Sequence, residues 1–163
     1  MNKYISVILL LFFTVNVNAA CNDAEYREFD FWLGNWQVTT QTDTIVRHNT
    51  VVSINQGCTL LEQYSTPDGF TGKSLNIYDR KNKRWHQTWV DSQGNLLLLS
   101  GGMQQDSMVM TGTTSEKGNQ VLNRITWTPL KGGKVRQLWQ SSQDNGSTWV
   151  TVFDGLYEAV TQK

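Results

Sequence analysis

A chain of 163 residues has room for one domain around a single core. Its 14 Lys and Arg balance its 14 Asp and Glu, which excludes the basic footprint of a nucleic-acid or anionic-lipid binder. Seven Trp are many for this size, and each needs a wide pocket and a partner for its indole N–H, so an aromatic-lined interior is expected.

The first 19 residues read as a secretory signal peptide, and residues 20–163 as the domain. Lys3 supplies the positive start, Ile5 to Phe13 the apolar run, and Val17 to Ala20 the small residues of a cleavage site. The run is too short for a transmembrane helix, and no later segment qualifies. A periplasmic or secreted location follows. There Cys21 and Cys58 are expected to form a disulfide tying the N-terminal segment to the domain. The rival reading is lipidation of Cys21, against which stands Asn18 where a lipoprotein signal usually has Leu.

Asn22 and Glu25 have the spacing of a capping box, which predicts a short helix from Asp23 to about Leu33 with Tyr26, Phe29 and Leu33 on one face. Gly34 ends it. Trp36, Val38 and Thr40 then alternate with Gln37 and Thr39 at strand period. Further strands are predicted over 45–54, 59–65, 73–78, 84–90, 96–101, 107–113, 121–128, 135–141 and 149–157. Turn signals separate them, among them Pro67-Asp68-Gly69, Asp91 to Gly94, Lys131-Gly132-Gly133 and Asp144-Asn145-Gly146. The expectation is an all-β meander of about ten antiparallel strands, hence a closed barrel or a sandwich. Lys81 to Arg84 is a solvated turn. Ser142 to Trp149 matches an Asp-box once, which is turn chemistry rather than a propeller blade.

Period two divides the strands into faces. One carries Trp85, Gln87 and Trp89, then Asn123, Ile125 and Trp127, then Val135, Gln137 and Trp139, then Trp149, Thr151 and Phe153. Turned inward, this face makes an aromatic interior with amides among the rings, suited to a small apolar or amphipathic ligand. The opposite face carries His86, Arg124 and Arg136. Turned inward instead, it suits an anionic head group. Trp85, His86, Gln87, Trp89, Asn123, Arg124, Trp127, Gln137 and Trp139 are therefore the ligand-lining candidates. No cofactor or nucleophile motif occurs, and with only His48 and His86 no three-histidine metal site can form, although a mixed His/Asp/Glu site stays open. A barrel enzyme of isomerase, cyclase or decarboxylase type, with His86 or a buried acid such as Glu62 as general base, is the alternative to ligand binding. A partner-binding protein using an outer aromatic patch is a weaker one. The sequence carries no signal for oligomeric state.

Phe29-Asp30-Phe31-Trp32-Leu33-Gly34-Asn35-Trp36 resembles the opening of an exported bacterial lipocalin-like family of unknown function. Gly57-Cys58, Gly72 to Asp79, Trp85 to Asp91, Arg124 to Trp127 and Val135 to Gln137 continue the likeness over nearly all of residues 20–163. The resemblance implies an all-β, antiparallel, up-and-down barrel of calycin type with about ten strands, the short helix closing one end and Trp32 and Trp36 at its floor. It also implies a cation–π cover over Trp36 from Arg124 or Arg136. Nitrobindin-type barrels hold haem through one His, so haem at His86 is a weaker alternative to the expectation of no cofactor.

Overall fold

The computed structural model describes residues 21–160; the signal peptide read over residues 1–19 lies outside them. Ten antiparallel strands close into one barrel in chain order, the first pairing with the last. They are β1 (Gly34–Thr40), β2 (Arg47–Ile54), β3 (Thr59–Ser65), β4 (Thr71–Asp79), β5 (Arg84–Asp91), β6 (Leu96–Gln104), β7 (Ser107–Glu116), β8 (Asn119–Leu130), β9 (Lys134–Ser142) and β10 (Val150–Ala159). Closure leaves no unpaired edge. No helix among the described residues is long and apolar enough to cross a membrane.

The second strand begins at Arg47 rather than Ile45. The Asp43 carboxylate accepts from the Ile45 amide and from two Arg47 nitrogens, and this local set of bonds holds the preceding residues out of the ladder.

The short N-terminal helix is present as two 3-10 turns, Ala24–Arg27 and Asp30–Trp32. The reason is side-chain spacing. Tyr26, Phe29 and Trp32 are three apart, all buried, and a helix of three residues per turn puts them on one line. The capping box does not form; Asp23 holds the N-cap position without a side-chain bond. This segment closes the end of the barrel where β1 starts. Phe29 stacks on Trp32 at 4.9 Å and meets Trp85 and Trp127 edge-on at 5.7 and 5.2 Å. Trp36 donates its indole N–H to the Trp32 carbonyl at 3.0 Å, and Trp85 donates to Glu28 at 3.1 Å. Gly34, at φ 151°, lies against the Trp36 ring, where a Cβ would stand 3.1 Å from it. The expected disulfide joins Cys21 to Cys58 and fastens this segment to the turn between β2 and β3.

The guanidinium expected over Trp36 is not there. Arg124 lies on the outer face, 4.0 Å over the Trp149 ring and bonded to Gln140. Arg136 is also outside, paired with Asp154 at 2.7 and 2.8 Å. With Phe29, Trp32 and Trp127 filling the floor, the aromatic rings cover one another and leave no slot for a cation.

Candidate functional site: the open end of the barrel

The inward face is the one bearing Trp85, Gln87 and Trp89, with Asn123, Ile125 and Trp127, and Val135, Gln137 and Trp139. Of these, Trp85, Ile125, Trp127 and Val135 pack in the core. The tenth strand departs from simple alternation. A bulge between Thr151 and Phe153 shifts its register against β9, so Phe153 faces in while Thr151 is exposed. Trp149 precedes β10 and packs outside, donating its N–H to the Gly146 carbonyl. The Asp-box is a hairpin, as its turn chemistry requires. Asp144 accepts from Ser142 and from both the amide and hydroxyl of Thr148, and these bonds, those of Thr148 foremost, hold its carboxyl down at about 2.

Opposite the aromatic floor the barrel is open. A cleft of about 220 Å³ enters there, walled by Tyr64, Phe70, Trp89, Trp139 and Phe153, with Leu97, Ile125 and Val152 completing its apolar sides. Gln87, Gln137, Glu62, Tyr157 and Asp91 supply its polar atoms. Tyr64 meets Phe70, Trp89 and Phe153 edge-on at 6.2–6.5 Å, a geometry that fixes the rings around a gap. Gly72 makes room for one wall. A Cβ there would stand 2.1 Å from Trp89, so the indole lies directly over the glycine backbone. Gly155 does the same beneath Phe153, at 2.5 Å. Trp139 is oriented from the far side, donating to Asn123 Oδ1 at 2.9 Å, while Asn123 donates to Thr114 at 2.9 Å.

At the inner end of the cleft a polar network crosses four strands. Glu62 on β3 is only 2 % exposed. Its two oxygens accept from Asn49 Nδ2 on β2 and Ser74 Oγ on β4, each at 2.7 Å. Ser74 in turn accepts from Asn76 at 2.8 Å, and Asn76 Oδ1 accepts from Gln87 on β5 at 3.0 Å. Desolvation dominates over those two hydrogen bonds and pushes the Glu62 carboxyl up to about 7. Nearby, Tyr157 donates its hydroxyl proton to Gln137 Oε1, and burial raises its own titration well above the ordinary phenol range.

Some of the residues singled out from sequence meet in the cleft: Gln87, Trp89, Gln137 and Trp139 line it. Trp85 and Trp127 belong to the core near the floor, with Trp32 and Trp36. Asn123 stands behind Trp139. His86 is on the outer surface, its side chain 40 % exposed and 3.8 Å from Asp79, so it reaches neither the cleft nor a haem seated inside. Tyr64, Phe70, Asp91, Phe153 and Tyr157 complete the site. Period two extended from Glu62 would have found Tyr64; Phe70 lies in a turn and carries no such signal. The outer face over β4 to β6 is aliphatic rather than aromatic, exposing Leu75, Ile77, Val90, Leu96 and Leu98. The chain matches no protein-family model and no curated protein, so what the cleft takes is argued from its own residues.

Proposed function

We propose that this is an exported lipocalin-like protein that binds a small amphipathic molecule in the open end of its barrel. One observation carries the reading: a filled aromatic floor at one end faces an aromatic-walled cleft of about 220 Å³ at the other. Ligand sites are concave, mostly apolar and equipped with a few convergent polar groups, and the cleft has this composition. The Cys21–Cys58 disulfide supports export, since such bonds persist in oxidising compartments.

The test is displacement of a neutral naphthylamine fluorophore by a panel of small lipophiles, on the wild type and on Gly72→Ala. The added methyl pushes Trp89 out of the wall. Binding is expected in the wild type and about tenfold weaker in the variant, roughly the value of one aromatic contact. Equal binding to both proteins would place the ligand elsewhere.

A second reading rests on Glu62 itself. A carboxyl lining a cleft and titrating near neutrality can take a proton from a bound molecule and return it, as a general base does. Glu62→Gln abolishes turnover under that reading and leaves the apolar contacts in place.

A further inference from the structure

We propose that the ligand carries an ammonium head group, seated on the Glu62 carboxylate with its hydrocarbon or aromatic body between Trp89, Trp139, Tyr64 and Phe153. The proposal rests on the small-ligand reading of the cleft.

The signs of the charges argue first. Glu62 and Asp91 line the cleft, and no Lys, Arg or His is among its lining residues. The three side chains that would favour an anion, His86, Arg124 and Arg136, all lie on the outer face, Arg124 bonded to Gln140 and Arg136 to Asp154. One cation does stand at the mouth, Arg47 on β2, but Asp43 holds it at 3.0 and 2.7 Å. Asp68 adds a further negative charge close to Arg47. An anionic ligand would therefore enter a field made mainly by carboxylates and place its own charge beside Glu62. A cation would be drawn in.

Hydrogen-bonding capacity argues next. A carboxylate offers about four acceptor positions, and Glu62 has only two neutral donors, Asn49 and Ser74. Buried carboxylates are ordinarily paired with a cation, and none faces this one. Beside it, Asn49 Oδ1 is buried without a hydrogen-bond partner. The network thus presents spare acceptors where the cleft ends, which an ammonium with two or three N–H groups satisfies and an ether or ester does not. The aromatic walls are the surface over which cations are stabilised.

The groups facing Glu62 separate its titration from theirs. Tyr157 on β10 and Tyr64 on β3 both stay neutral through the physiological range, Tyr64 because burial raises it to about 12. At the rim, burial raises Asp91, but the hydrogen bonds of Asn95 and its neighbours outweigh it and keep the group ionised. Asp43, bonded to Arg47, is held at about 2. Between about pH 5.5 and pH 8, Glu62 is the group in the cleft that changes charge.

The experiment uses three matched probes, 3-phenylpropylamine, 3-phenylpropan-1-ol and 3-phenylpropanoate, titrated calorimetrically into the wild type and Glu62→Gln. At about pH 8 the amine is expected to bind at least about tenfold more tightly than the alcohol, the size of one charge-assisted hydrogen bond, and the carboxylate most weakly. In Glu62→Gln the amine's advantage over the alcohol disappears. In the wild type the amine's affinity falls about tenfold towards pH 5.5, although the probe stays cationic, because Glu62 takes up a proton. That pH series needs no variant and decides the matter if the substitution disturbs folding. Equal binding of amine and alcohol, or preference for the carboxylate, overturns the ammonium assignment and leaves the cleft reading intact. No binding of any probe overturns both.

Discussion

The environment of Glu62 opposes its charge. Its carboxyl is buried, bonded only to neutral donors, and titrates at about 7 rather than 4.5. The consequence for stability has a definite sign. Below the ordinary carboxyl value the folded and unfolded chains both hold the proton. Between 4.5 and about 7 only the folded chain holds it, so stability falls as pH rises. Above about 7 the loss is complete, and the shift sets its size at about 3 kcal/mol. Urea denaturation at about pH 5 and pH 8 is expected to show this drop in the wild type and not in Glu62→Gln. The difference between the two profiles reports the buried group. A parallel pair of profiles would mean that Glu62 is solvated or paired in solution.

At the scale of elements, the N-terminal turns are too short to hold themselves. They are held by what they pack against. Phe29 and Trp32 fill the barrel end, and the disulfide pins the segment across a separation of 37 residues. A loop of that length is worth about 4 kcal/mol in the chain-entropy account. Replacing both cysteines by Ser should lower the denaturation midpoint accordingly. The floor then loosens while the cleft, built mostly from strand residues at the other end, keeps its ligand affinity. An affinity that collapsed with the disulfide would show that the two ends are coupled. The capping box illustrates why this segment was hard to read. Asn22 and Glu25 have the right spacing, but three buried aromatics at intervals of three outweigh a few polar bonds and impose the tighter helix.

For the whole molecule, alternation and turn chemistry were enough to give ten strands paired with their neighbours in sequence, because both are local signals; the closure of the first strand on the last is not written in them and left a sandwich open. Period two also sorted Trp85-Gln87-Trp89 and Val135-Gln137-Trp139 onto one face, but which face turns inward came only with the structure. What could not be read is what only closure decides. The polar network joins Asn49, Glu62, Ser74, Asn76 and Gln87 across four strands, and no single strand announces it. Arg124 and Arg136 go outside because the floor packs ring against ring and because Trp149 and Asp154 offer them partners there. The bulge before Phe153 turns a residue inward that strict alternation would group with Trp149.

The distribution of tryptophans supplies the most direct measurement of where a ligand sits. Trp89 and Trp139 wall the cleft, Trp32 and Trp127 fill the floor, and Trp149 lies under Arg124 outside. Each indole N–H gives its own signal in a nitrogen–proton correlation spectrum. On titration with 3-phenylpropylamine, the signals of Trp89 and Trp139 are expected to move together and saturate, while those of Trp32, Trp127 and Trp149 stay in place. Saturating shifts confined to the floor or to Trp149, with Trp89 and Trp139 unmoved, would contradict binding at the open end.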